Sequence, residues 1–229
     1  MYKSIVVVGA GRAGTPIAAR LGERFSVRVC TRQIECDNAD LVVVCTPDSA
    51  ISTVAASIAQ GPWICHVSGA TPLDALAPHT KRLAVHPLQT LQASGGPEQL
   101  DGAFAAVTAE SDHSRALGFQ LARDLGLVPF ELADADRPLY HAGATVAASF
   151  LVTLHRLAAD LLETADAPPA ALVPLMQRVI ENDFAPTGPQ VRGDRITVQR
   201  HISAIAERRP ELEAMYRTLS KATESMLTQ

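Results

Sequence analysis

The stretch "SIVVVGAGRAG", residues 4–14, constrains the fold more than any other part of the chain. Ile5 to Val8 form a short β-branched run, the pattern of a strand covered on both faces. Gly9, Gly11 and Gly14 follow in G-x-G-x-x-G spacing, and "TPIAARLGER" then reads as a helix with Pro16 tolerated in its first turn. The spacing is weak on its own; placed between a strand and a helix it has a physical meaning. Gly9 permits a tight turn, Gly11 lets a diphosphate approach the backbone, and Gly14 lets helix and strand pack closely. Unpaired amides at the helix start supply an anion site. Gly9, Gly11, Arg12, Ala13 and Gly14 are therefore expected to hold a dinucleotide. The competing reading is a glycine-rich turn with no ligand.

Further apolar runs continue the pattern. "FSVRVCT", "DLVVVCT", "WICHVS", "RLAVH", "AFAAVTA" and "LVPFEL" read as strands. "PDSAISTVAASIAQ" and "SDHSRALGFQLARDLG" read as helices, the first with Asp48 or Ser49 placed to cap it. The link "RQIECDNA" is too short for a crossover helix. This alternation predicts an α/β fold, a doubly wound and mostly parallel sheet. From about Asp134 onward no strand is evident. "RPLYHAGATVAASFLVTLHRLAADLLETA" reads as one long helix, "PPAALVPLMQRVIENDF" as another, with two more around 195–207 and 210–227. The expected domains are a dinucleotide-binding domain over residues 1–133 and a helical domain for substrate binding or dimerisation over 134–229.

Composition excludes several classes. Charged residues make up 19% of the 229-residue chain and the net charge is −4, which gives nucleic acid or an anionic membrane no electrostatic footing. Aromatic residues, at 4%, are too scarce for a base-stacking platform. Cys30, Cys36, Cys45 and Cys65 form no C-x-x-C pair and read as reduced core thiols. No leader precedes the first strand, and no uninterrupted apolar run approaches the roughly 20 residues that span a bilayer. A cytoplasmic location, no membrane partner and no metal site are expected.

The second strand bears on cofactor choice. An NAD site places Asp or Glu about twenty residues past the glycines, on the ribose hydroxyls. Here the strand ends in Thr31 and Arg32, with no acid. A guanidinium pairs with a 2′-phosphate that a carboxylate would repel, so NADP is expected. Arg12 could reach the same phosphate or stack on the adenine; Arg32 could instead be a solvated loop charge. Ligands of open α/β sheets sit beyond the carboxyl ends of strands. Three such ends carry polar residues: Thr46-Pro47-Asp48, Ser68-Gly69 and His86-Pro87. Ser68 is expected to hydrogen-bond a carbonyl and His86 to move a proton, its reference pKa of about 6.5 lying near working pH. His66 is assigned to structure. On the long helix His141, Thr145 and Ser149 recur every four residues as one polar line. The loop "PTGPQVRGD" carries Thr187, Arg192 and Asp194, which either clamp a substrate carboxylate or hold the loop's own shape.

These motifs together carry a resemblance. "GAGRAG", "TPDSAI", "HVSGA", "HPLQT", "YHAGATVAASFLVTL" and "TGPQVRGD" followed by His201 resemble the Rossmann-like proteins whose helical half is domain of unknown function 2520. That family is similar to the 6-phosphogluconate and β-hydroxyacid dehydrogenases, ketopantoate reductase, pyrroline-5-carboxylate reductase and prephenate dehydrogenase. The resemblance implies an NADP-linked, dehydrogenase-like protein, often a homodimer, with no settled substrate. Two departures matter. Ser149 stands where the family usually has asparagine. The lysine that β-hydroxyacid dehydrogenases and ketopantoate reductase use as acid/base is absent: the three lysines are Lys3, Lys81 and Lys221, and Tyr140-His141 lies near that place. A histidine, His86 or His141, must then carry the proton. The expected function is an NADP-dependent oxidoreductase acting on a small carboxylate-bearing oxo, hydroxy or imino acid. The alternatives are a non-catalytic NADP-binding sensor and a reductase that uses a deazaflavin coenzyme.

Overall fold

The computed structural model describes residues 2–227, which fall into two compact units divided between Val146 and Ala147. In the first unit the elements are β1 (Ser4–Val8), α1 (Gly14–Gly22), β2 (Ser26–Cys30), β3 (Leu41–Val44), α2 (Ile51–Ser57), β4 (Trp63–His66), β5 (Arg82–Pro87), β6 (Phe104–Ala109), α3 (Asp112–Asp124), β7 (Val128–Glu131) and α4 (Arg137–Thr145). The seven strands form one sheet in the order β2-β1-β3-β4-β5-β6-β7, parallel throughout except where β5 meets β6. This is the expected doubly wound sheet. The strand order reverses direction between β1 and β3, the switch point where such sheets open a crevice.

The strands are apolar on both faces because helices cover both. Ile5, Val7, Val43, Cys65, Leu83 and Val85 turn toward Ile17 and Leu21 of α1 and Leu121 of α3. Val6, Val8, Val42, Val44 and Ile64 turn the other way, toward Ile51 and Ala55 of α2. At roughly 1.5–3 kcal/mol for each fully buried aliphatic side chain, this two-faced core is the main source of the unit's stability. Helix α3 starts at a reciprocal cap, in which the Ser111 hydroxyl accepts from the Ser114 amide and Ser114 Oγ from the Ser111 amide. Neither Asp48 nor Ser49 caps α2: both belong to a 3₁₀ turn, Asp48–Ala50, that precedes it without a side-chain cap.

The second unit contains α5 (Leu151–Thr164), α6 (Leu172–Glu181), α7 (Arg195–Arg208) and α8 (Pro210–Met226). His201 on α7 pairs through Nδ1 with the Tyr216 hydroxyl on α8 at 2.7 Å. Val152 of α5 and Leu175 and Ile180 of α6 are exposed.

One expectation needs correction. The sheet ends near residue 133 as read, but the first compact unit runs on to Val146, because α4 anchors to the strands through its first residue, Arg137. By length and average composition alone, helical Asp134–Thr164 also meets the criterion for a membrane span, although it contains no uninterrupted apolar run of that length. A count of uninterrupted apolar residues stops at Thr145 and Ser149, whereas the average over the stretch does not.

Candidate functional site

The glycine turn follows from its backbone. Gly9 adopts φ +107°, a conformation L side chains rarely take, and a Cβ there would lie 2.8 Å from the Cys45 carbonyl oxygen at the end of β3. A Cβ on Gly14 would fall 1.9 Å from the Gly9 carbonyl oxygen, so the helix start and the strand end touch backbone to backbone. Gly11 is different: nothing lies within 4 Å of where its Cβ would be. Arg12, Thr31 and Arg32 are exposed, Ala13 is half-buried, and Thr46 follows Cys45 beside the turn. The Thr46 hydroxyl oxygen is buried without a hydrogen-bond partner, and Pro47 after it is exposed. A cradle open at Gly11, closed at Gly9 and Gly14, and carrying an orphan hydroxyl at its edge fits a dinucleotide.

Beyond the ends of β4 and β5 lies a second cluster, held by α4. His86 Nδ1 lies 2.7 Å from the Tyr140 hydroxyl, with the two rings nearly perpendicular at 5.5 Å. The Phe130 ring packs on Tyr140 at 6.0 Å, and His141 faces His86 at 6.2 Å. Gly69 fits between the two imidazoles: a Cβ there would meet His141 Cδ2 at 2.6 Å and His86 Cε1 and Nε2 at 2.9 Å. The Ser68-Gly69 turn and the two histidines therefore form one constellation.

Ser68 does not present its hydroxyl to that constellation. Its Oγ donates to Thr71 Oγ1 at 2.8 Å and accepts from the Ala70 and Thr71 amides, so it shapes the turn that delivers Gly69. Its carbonyl oxygen accepts from Arg137, whose other terminal nitrogen donates to Thr108 Oγ1 at 2.8 Å. Arg137 is 1% exposed, and its nearest carboxylate, on Asp134, is 3.9 Å from Nε. This buried, thinly compensated cation sets the electrostatics of the site. Burial first, and then repulsion from Arg137 and His141, push the His86 pKa down to about 4, against a small upward pull from Asp48. His66, 0% exposed, is pushed down to about 3 by burial first and then by the same guanidinium and by His86, against an upward pull from the Pro72 backbone. Burial raises the Tyr140 hydroxyl to about 12. Near neutral pH both His86 and Tyr140 are uncharged.

Arg137 and Tyr140 are the residues a reading of the sequence misses. "DADRPLYHAG" signals a helix start, with Pro138 in its first turn. Nothing in that string shows that the arginine turns under the sheet or that the tyrosine reaches a histidine 54 positions earlier.

Five more expected site residues are Thr145, Ser149, Thr187, Arg192 and Asp194. Thr145 donates to the His141 carbonyl oxygen within α4. Ser149 is exposed, lies in a π-helical turn, Val146–Phe150, and belongs to the second unit. The four-residue line from His141 assumed an unbroken α-helix, which that turn does not provide. Thr187 and Arg192 are exposed in the second unit. Asp194 caps α7, accepting from the Thr197 amide at 3.0 Å and hydroxyl at 2.7 Å, and these bonds hold its carboxyl below the usual range. Of the two roles read for Asp194, holding local shape is the one its contacts perform.

Residues 103–223, more than half of the chain, match the model of the domain of unknown function DUF2520. The chain belongs to that family. No curated protein matches it by sequence. Among solved structures it is similar to a Bacteroides fragilis protein provisionally described as an NADP oxidoreductase, with 21% identity, a TM-score of 0.81, and 97% of this chain and 98% of that one covered. A Thermotoga maritima protein superposes with a TM-score of 0.78 at 19% identity over 98% of each chain. The 1-pyrroline-5-carboxylate reductase of Streptococcus pyogenes is similar at 14% identity and a TM-score of 0.63, over 97% and 98%. At these identities the likeness is one of fold.

Proposed function

We propose that this DUF2520 protein is an NADP-dependent oxidoreductase acting on a small carboxylate-bearing oxo, hydroxy or imino acid. The observation that carries this reading is His86: a neutral imidazole at the end of β5, held at Nδ1 by Tyr140, with its Nε2 edge beside Gly69 and without a hydrogen-bond partner among the described residues. The names given to the B. fragilis and S. pyogenes proteins point the same way. The Gly9–Gly14 turn would hold the diphosphate, Arg32 and Arg12 a 2′-phosphate, and Thr46 and Pro47 would border the dinucleotide beyond β3. The bound nicotinamide supplies hydride transfer. His86 moves the accompanying proton at Nε2 to or from the substrate oxygen or nitrogen, His141 lines the other side of Gly69, and the Ser68 turn keeps the two imidazoles apart.

The test is NADPH oxidation against a panel of oxo and imino acids, with calorimetric titration of NADP⁺. His86→Ala is expected to lower turnover by about 10²–10⁴-fold while NADP⁺ binding stays intact. Arg32→Asp should move preference toward NAD⁺. Failure of the wild-type protein to bind either dinucleotide would overturn the reading, and unchanged turnover in His86→Ala would move the chemistry to His141.

For the second unit we propose a second copy of the chain as partner. Val152, Leu175, Ile180 and Phe184 are large apolar residues left exposed in this unit, and a two-fold contact would bury the same residues on both copies. Light scattering is expected to give twice 24.3 kDa. A monomer would remove this proposal.

A further inference from the structure

We propose that Tyr140 is a positioning residue for the proton-transfer step: its hydroxyl donates to His86 Nδ1 and so keeps the proton of the neutral imidazole on Nε2, the edge beside Gly69. The inference rests on the reading of His86 as the proton-moving group and adds the direction of that group's hydrogen bond.

Three observations support it. Among the described residues the Tyr140 hydroxyl has one hydrogen-bond partner, His86 Nδ1 at 2.7 Å. A phenol can donate to that nitrogen or accept from it. If it accepted, its own hydrogen would be left without a protein acceptor beside the rings of Phe130 and His86; donation satisfies both groups. Second, the imidazole is neutral, because burial and the Arg137 charge oppose a second ring proton, so one nitrogen must be bare. The partner at Nδ1 then decides which. Third, no acceptor among the described residues is bonded to Nε2, which leaves that edge for a bound substrate.

The consequence is chemical. A neutral histidine with hydrogen on Nε2 is a donor: it polarises the oxygen or nitrogen of a C=O or C=N group that is gaining hydride. The opposite tautomer would present a bare Nε2, suited to taking a proton from an alcohol or amine. The structure thus favours the reductive direction, with an oxo or imino acid as the substrate that meets the site in its resting tautomer. On its conversion to a hydroxy or amino acid, the substrate's oxygen or nitrogen gains the Nε2 proton. The hydroxyl proton of Tyr140 follows onto Nδ1; after product leaves, a solvent proton reaches Nε2 and the Nδ1 proton returns to the Tyr140 oxygen, which restores the resting tautomer.

Nitrogen-15 spectra of the full-length protein at neutral pH test this, with His86→Ala used to assign the ring signals. The wild-type protein should show Nε2 protonated and Nδ1 in the range of an acceptor nitrogen. Tyr140→Phe keeps the ring contacts and deletes the donor, so both ring nitrogens should move toward the averaged values of two exchanging tautomers. Its kcat for oxo-acid reduction should fall roughly tenfold with little change in KM. A wild-type spectrum with the proton on Nδ1 overturns the proposal even if the variant fails to fold, and so does an unchanged His86 pattern in a folded Tyr140→Phe. Loss of the functional reading looks different: no NADP⁺ binding by the wild-type protein, whatever the tautomer.

Discussion

Gly14→Ala is expected to destabilise the protein by about 3 kcal/mol or more, a drop in melting temperature of roughly 6–12 °C for a chain of this length, whereas Gly11→Ala should melt like the wild type and lose NADP⁺. The two glycines share a motif, but their surroundings differ. A methyl group on Gly14 would sit 1.9 Å from the Gly9 carbonyl oxygen and 2.9 Å from its carbonyl carbon. Both are backbone atoms, and Gly9 is itself tied to β2, its amide donating to the Cys30 carbonyl oxygen at 2.8 Å. Helix α1 would have to lift, and with it Ile17 and Leu21, both 0% exposed. At Gly11 the added methyl meets no protein atom within 4 Å and the backbone is not in the left-handed region, so the folded state tolerates it. The space it fills is where a diphosphate must approach. Gly14→Ala loses the dinucleotide by losing the structure; Gly11→Ala loses it with the structure intact. Thermal unfolding and NADP⁺ titration on both variants separate the effects. A Gly11→Ala protein that binds NADP⁺ as the wild type does would show that this turn is not the cofactor site.

The difference between those glycines also shows where the sequence is legible. Local rules act within a few residues, and features governed by such rules can be read directly. The β1–turn–α1 unit follows from apolar periodicity and glycine spacing, and all seven strands follow from short β-branched runs bounded by turn residues. Contacts between distant residues leave no such trace. Arg137 reaches Ser68 and Thr108, and Tyr140 reaches His86, across 29 to 69 positions, and a lone arginine or tyrosine at a helix start has no distinguishing neighbours. Ser68 shows the same limit. A serine at a strand end looks catalytic until its turn is visible, and only then do the Ala70 and Thr71 amides claim its oxygen. Ser149 fell into line with His141 only because a periodicity argument presumes ideal helix, and a π-helical turn is invisible to it.

Buried histidines 66 and 86 should make the protein unusually sensitive to mild acid. Both are held uncharged, with pKa values of about 3 and about 4, against roughly 6.5 in the unfolded chain. Between those limits the unfolded state binds more protons than the folded one, so stability rises with pH across the window and is lost as pH falls below about 6.5. Each imidazole contributes on the order of 1.4 kcal/mol per pH unit while only the unfolded form is protonated, which gives a slope near two protons between pH ~6 and ~4.5. Carboxylates held low by hydrogen bonds, such as Asp40 and Glu110, act with the same sign but below about pH 4.5, so the windows separate. Denaturant unfolding across pH should therefore show stability falling well before any carboxylate titrates. His66→Leu should halve the slope with little change in stability at pH 7, because it replaces a buried imidazole that is uncharged there with hydrocarbon. Stability that stays flat from pH 6.5 to 4.5 would mean that both imidazoles can be protonated within the fold, and that Arg137 does not govern the charge of this site. The same reasoning bears on turnover. The acid limb of an activity profile should fall together with stability, because protonating His86 opposes both the fold and the neutral imidazole that moves the proton.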